Sequence, residues 1–140
     1  MIRYDRQDTD FVFRHRRENN LWLKNVAAEE GRKTGEIAVI FCSDEYLLDI
    51  NRQFLNHDYY TDIITFDYCE GEVLNGDLLI SVDSVRDNAV HYGASFDEEL
   101  HRVIVHGLLH LIGYDDHSEE ERKTMREKEN YYLCRRNTTL

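Results

Sequence analysis

The sequence predicts an α/β (α+β) protein in which a mixed sheet of about four strands is covered by about five helices. Helical and strand signals alternate along the 140 residues, without an internal repeat, a low-complexity tract or a flexible linker. At 41% hydrophobic residues, the chain can form one domain with a real core but is too short for two. We therefore predict a single domain over residues 1–140.

The first part of the chain predicts two strands and two helices. A short strand is expected at Ile2–Asp5, and a helix at Arg16–Glu30 that stops at Gly31. The β-branched and aromatic run Glu36–Cys42 is typical of a strand, and Ser43 can cap the helix that follows. Apolar residues recur in that helix at helical spacing: Leu47, Leu48, Ile50 and Phe54.

Two further strands are expected at Asp62–Phe66 and Asp77–Ser81. The connection between them contains Gly71 and the pair Asn75-Gly76, which favour a hairpin or a looser antiparallel pairing.

Three helices complete the expected fold. The first covers Asp83–Tyr92 and ends at Gly93. A capping box at Ser95–Glu98 then begins a long apolar helix, and a second box at Ser118–Glu121 begins a charged C-terminal helix.

Charge and cysteine content narrow the cellular setting. The net charge of −11 favours solubility, so nucleic-acid binding would require a groove with a local positive field. The scattered residues Cys42, Cys69 and Cys134 suit a reducing compartment better than a disulfide framework. The first residues do not resemble a signal peptide, and no apolar run approaches the ~18 residues of a membrane span. We expect a cytoplasmic protein with no membrane partner.

The segment HGLLHLIGYDDH, residues 106–117, predicts a metal site on the long buried helix and the loop after it. His106 and His110 are four residues apart, so they share one face of the helix with Cβ atoms about 5–6 Å apart. Gly113 can end the helix, and His117 then follows closely enough to return to the same point. A single buried histidine is more often a hydrogen-bonded core residue, but three in this layout predict one Zn²⁺ per chain with an open fourth position. Nickel, copper or iron would also suit imidazole ligands.

The remaining residues of the segment bear on the chemistry. Asp115 and Asp116 can orient a ligand imidazole through its second nitrogen, or they form a solvated acidic loop. A protease with the HExxH motif would carry a glutamate base at the position of Gly107. The pattern therefore indicates metal-assisted hydrolysis without the usual protease base.

The same segment resembles the HGxLHLxGYDH signature of the YbeY family of zinc-dependent endoribonucleases. Further matches are LDINRQFL, TDIITF at Thr61–Phe66 and NGDLLIS at Asn75–Ser81, so the resemblance extends from about Glu36 to Met125. It implies a small α/β fold with a mixed four-stranded sheet, zinc held by three histidines and single-stranded RNA as substrate, with no DNA expected. It also implies maturation of the 3′ end of 16S ribosomal RNA and ribosome quality control, with the small ribosomal subunit as partner.

The chain departs from the family pattern at two positions that matter for the site. The signature ends GYDH where this chain has GYDDH, so Asp116 takes the sequence position of the third ligand; we predict His117 as that ligand, with Asp116 as the alternative. The family usually has an arginine where this chain has Leu55. Arg52, one turn earlier, is predicted to offset charge on the phosphate during catalysis, or is an exposed surface cation.

The histidine pattern predicts a metal-dependent hydrolase, and the resemblance implies a zinc-dependent, single-strand-specific endoribonuclease that acts in ribosomal RNA processing and ribosome quality control. Two alternatives remain open: a zinc metalloprotease-like hydrolase, and a non-enzymatic zinc-stabilised ribosome-assembly factor. No general base can be assigned from the sequence, and either water or the 2′-hydroxyl of RNA can be the attacking group.

Overall fold

The chain folds into a mixed four-stranded sheet with five helices, which confirms the predicted fold class. A computed structural model describes residues 1–136. Its elements follow one another as β1 (Ile2–Gln7), α1 (Arg16–Glu29), β2 (Lys33–Cys42), α2 (Asp44–Leu55), β3 (Ile63–Asp67), β4 (Val73–Ser81), α3 (Val82–Tyr92), α4 (Phe96–Ile112) and α5 (Glu119–Arg135).

The strands are ordered β1-β2-β4-β3 in the sheet. β1 and β4 pair with β2 in parallel, and β3 pairs with β4 in the predicted antiparallel sense. Asn75 and Gly76, which we expected in the connection, lie inside β4 instead. A Cβ on Gly76 would lie 2.5 Å from the Phe66 carbonyl oxygen and 2.8 Å from Leu111 Cδ2. This glycine therefore marks a close approach of β3 and α4 rather than a turn.

Serine residues are the N-caps of four of the helices. Ser43, Ser81 and Ser95 each accept a hydrogen bond from a backbone N–H of the first turn. At Ser118 the complete capping box predicted from the sequence is present, because Glu121 also accepts a hydrogen bond from the Ser118 backbone. At Ser95 only the serine half of the box forms.

Helix α4 is the central helix and carries the predicted metal-site histidines. Val105, Leu108 and Leu109 are fully buried in the core. Gly107 faces the sheet so closely that a Cβ there would lie 2.8 Å from Ile63 Cδ1 and 3.0 Å from Leu78 Cδ2. One face of α4 is thus held against β3 and β4, and this packing fixes the direction of the other face. Within residues 1–136, no helix is both long and apolar enough to cross a membrane.

Candidate metal centre

His106 and His110 meet on the half-buried face of α4. Their Nε2 atoms are 3.0 Å apart. The ring centroids are separated by 4.6 Å, with the ring planes inclined at 79°. This is the convergence expected from two histidines four residues apart on one helix.

The third donor atom comes from Asp116. Its Oδ2 atom lies 3.3 Å from His106 Nε2 and 3.5 Å from His110 Nε2. A tetrahedral ion with bonds of 2.0–2.1 Å holds its ligand atoms about 3.3–3.4 Å apart. The three measured separations bracket that value, so these residues would hold one ion, and a tetrahedral ion bound there would have a fourth position for water or substrate.

His117, predicted as the third ligand, is not part of this group of donor atoms. Its side chain is exposed, and its carbonyl accepts a hydrogen bond of 2.9 Å from Arg122 Nη1. It also directly precedes Ser118, the N-cap of α5. The short loop from Gly113 brings Asp116 to the histidines and leaves His117 at the start of α5. The arrangement therefore corresponds to the alternative prediction, in which Asp116 is the third ligand.

Glu129 holds His106 from the side opposite the donor group. His106 Nδ1 lies 2.6 Å from Glu129 Oε2, and Arg102 donates a hydrogen bond of 3.0 Å to Glu129 Oε1. Since a carboxylate only accepts, the N–H of the His106 ring must be on Nδ1, which leaves the Nε2 lone pair free for a metal. A carboxylate behind a ligand imidazole is the usual way that proteins orient such a ring.

From the sequence we predicted this orienting role for Asp115 and Asp116, and not for Glu129. In the structure, Asp115 is exposed, and Asp116 itself contributes one of the three candidate metal-ligand atoms. A signal for Glu129 was present in α5, where Met125, Glu129 and Tyr132 form the buried stripe of the helix at i, i+4 and i+7. A glutamate inside such a stripe needs a buried partner.

The donor group lies between two cavities. The first, which we call the loop cavity, has a volume of about 540 Å³ and extends from His106, His110 and Asp116 to β3 and the loop after α2. The second, which we call the arginine cavity, has a volume of about 330 Å³ and is bordered by Arg102, Arg122 and Arg126. His106, Asp116 and Asp62 line both.

Arg52, predicted to face the phosphate, lies outside both cavities. Its guanidinium pairs with Asp58 and, at 3.8 Å, with Asp49, so carboxylates on its own helix and the next loop take up its charge. Leu55, where the family usually has an arginine, does line the loop cavity. Within the described residues, no lysine or arginine borders that cavity.

Electrostatic effects differ between the two histidines. Burial lowers the pKa of His106, but the hydrogen bond and charge of Glu129 more than reverse this, so the pKa is raised above its ordinary value. Burial and the neighbouring His106 lower the pKa of His110. Burial also raises the pKa of the Asp62 carboxyl, which accepts a hydrogen bond of 3.3 Å from the Asn88 amide.

We expect zinc affinity to fall as the pH decreases, starting above the ordinary histidine pKa of about 6.5. Metal binds the neutral imidazole, and the raised pKa of His106 lets a proton compete from a higher pH. Competition with a zinc-binding dye between about pH 8 and about pH 5 measures this. Glu129→Gln should move the fall to lower pH. A profile that this substitution leaves unchanged would contradict the role of Glu129.

The protein is thus a small α/β protein whose central helix and the loop after it present two imidazoles and a carboxylate that could hold a metal ion, at the junction of two open cavities. The family model described as endoribonuclease YbeY matches residues 2–137. The chain belongs to this family.

Individual relatives agree with the family assignment. The endoribonuclease YbeY of Bacteroides thetaiotaomicron is 60% identical over 121 residues, which cover 86% of this chain and 88% of the relative. That of Phocaeicola vulgatus is 52% identical over 134 residues, covering 96% and 97%. A Thermotoga maritima protein of known solution structure has a TM-score of 0.68 at 28% identity, covering 97% of this chain and 89% of that one.

Proposed function

We propose that the protein is a zinc-dependent endoribonuclease that cleaves single-stranded RNA in the cytoplasm. Its proposed role is to mature the 3′ end of 16S ribosomal RNA and to act in ribosome quality control on the small subunit. The observation that carries the proposal is the His106–His110–Asp116 group, whose donor atoms have the spacing of a tetrahedral site and open into two cavities.

Each residue of the site has a distinct task. His106, His110 and Asp116 would hold the ion, and Glu129 fixes the His106 ring. A bound zinc ion would supply Lewis acidity to the phosphodiester group. Asp62 lines both cavities and has a raised pKa, so it is the carboxyl that we propose to accept or donate the proton.

The donor set also bears on the identity of the metal. Two imidazoles with one carboxylate occur in catalytic zinc sites, and also in iron(II) oxygenases. Zinc fits hydrolysis better, because cleavage of a phosphodiester involves no redox change. Elemental analysis of freshly purified protein distinguishes the two ions.

The packing of Gly107 argues against the protease alternative. The HExxH base would have to project from this position, which faces Ile63 and Leu78 in the sheet rather than the donor group. A glutamate there would have no room and no access to the site.

The test is cleavage of a single-stranded RNA that carries the 3′ end of 16S ribosomal RNA. We expect His106→Ala to reduce cleavage by on the order of 100-fold or more, because a catalytic metal contributes several kcal/mol. The exposed His91 serves as a matched control, and His91→Ala should cleave like the wild type. Equal cleavage by all three proteins would indicate a contaminating ribonuclease and contradict the proposal.

The cleaved ends identify the attacking group. A 2′,3′-cyclic phosphate shows attack by the neighbouring ribose hydroxyl, whereas a 3′-hydroxyl with a 5′-phosphate shows attack by water. Mass spectrometry of the purified products separates the two outcomes.

A further inference from the structure

The arginine cavity combines exposed arginine side chains with a buried carboxylate. Arg122 and Arg126 on α5 lie at its mouth, and the side chain of Arg126 is 54% exposed. Arg122 donates to a backbone carbonyl, and within residues 1–136 no carboxylate lies within 4.0 Å of it. The nearest carboxylate to Arg126, Glu129, is 4.0 Å away and already accepts from Arg102 at 3.0 Å. The two guanidinium groups at the mouth are therefore available to an anion.

The floor of the same cavity carries an acceptor without a donor. Glu99 is only 5% exposed, and its side chain lines the cavity. Within the described part of the chain, no group donates a hydrogen bond to its carboxylate, whose oxygens reach solvent only through the cavity. A hydroxyl that enters the cavity can therefore donate to this carboxylate in place of water.

The two cavities differ in the nucleic-acid groups that they suit. Asp62 and Asp116 line both cavities, and within the described residues the loop cavity adds Asp67 but no lysine or arginine, so it offers a phosphate no lysine or arginine side chain. The arginine cavity adds Glu99 and Glu129 together with three arginines, of which Arg102 already pairs with Glu129 at 3.0 Å. The exposed Arg122 and Arg126 are therefore the cations available to the phosphate of a nucleotide, and the buried Glu99 is the acceptor available to its ribose.

We propose that the arginine cavity binds a nucleotide adjacent to the cleaved bond, with its phosphate on Arg122 and Arg126 and its ribose 2′-hydroxyl donating to Glu99. The proposal rests on the endoribonuclease function proposed above, and it assigns RNA selection to Glu99. The 2′-hydroxyl is the group by which a protein distinguishes RNA from DNA at a given position.

The phosphate part is tested with the metal-loaded protein and a labelled, cleavage-resistant phosphorothioate RNA. The Arg122→Ala, Arg126→Ala double variant should weaken binding and reduce the slope of log Kd against log salt by about 0.7 for each lost phosphate contact. Lys123→Ala removes one charge from the same helix outside the cavity and should keep the wild-type slope. If the double variant also keeps the wild-type slope and affinity, the phosphate assignment is wrong.

The hydroxyl part is tested by comparing RNA with DNA of the same sequence. We expect Glu99→Leu, which removes the acceptor, to reduce the preference for RNA by about fivefold, which is the scale of one hydrogen bond, with the salt slope unchanged. Glu98→Leu, at the exposed neighbouring position, should retain the preference. An unaltered RNA preference in a folded Glu99→Leu protein would overturn the assignment. Wild-type protein that binds neither strand would instead count against the endoribonuclease function as well.

Discussion

Asp116→Ala is expected to lose the bound metal, whereas His117→Ala is expected to retain it. Asp116 Oδ2 is within 3.5 Å of both imidazole nitrogens, while the His117 ring lies outside this group. Orienting residues behind a ligand already contribute 10–100-fold to metal affinity, so loss of a direct ligand should cost more than about 100-fold. Zinc affinity measured by dye competition, together with the rate of RNA cleavage, gives the comparison.

The control for this experiment is Asp115→Ala. It removes the same side chain one position earlier, where the aspartate is exposed and outside the donor group. Its zinc affinity should stay close to that of the wild type. The reverse pattern, with metal lost in His117→Ala and kept in Asp116→Ala, would restore the three-imidazole site predicted from the sequence.

The difficulty of predicting this third ligand has a local physical cause. The His106–His110 pair follows from helical periodicity, which the sequence determines strongly. The ligand in the loop depends instead on where the chain turns and where the next helix starts. Gly113 has a φ of +126°, which favours glycine, and Ser118 is fixed as the N-cap of α5. With both ends fixed, the path of the loop determines whether Asp116 or His117 reaches the histidine pair. That path has no periodic pattern in the sequence from which it could be predicted.

The electrostatic environment of the site was harder still to predict. Glu129 lies 23 residues beyond His106, and only the packing of α5 against α4 brings them together. Arg102, Arg122 and Arg126 meet in one cavity for the same reason, although they are on two helices. For Arg52, the position near the loop was predicted from the sequence, but its pairing with Asp58 was not. Periodicity predicts which face of a helix a residue occupies. An ion pair also depends on which residues the neighbouring element places against that face, and periodicity does not give this.

Glu129→Ala is expected to destabilise the metal-free protein by about 3 kcal/mol, because it leaves Arg102 and His106 without their shared carboxylate in a largely buried position. Glu129 is only 6% exposed, so water replaces it poorly. Urea unfolding of chelator-treated protein measures the change in the free energy of unfolding. Glu127→Ala, on the exposed side of the same helix, is the matched control and should change it by less than about 0.5 kcal/mol.

The pH dependence of this loss separates the contribution of His106 from that of Arg102. The folded-state pKa of His106 is raised, so its attraction to Glu129 stabilises the fold fully below the unfolded-state pKa of about 6.5 and is lost as the pH rises through the folded-state value. Arg102 stays charged throughout. The destabilisation by Glu129→Ala should therefore be larger near pH 6 than near pH 8, with the Arg102 ion pair and the hydrogen bond from the neutral His106 ring remaining at the higher pH. A loss that is equal at both values would mean that the charge of His106 does not contribute to the stabilisation, which would contradict the raised pKa of His106.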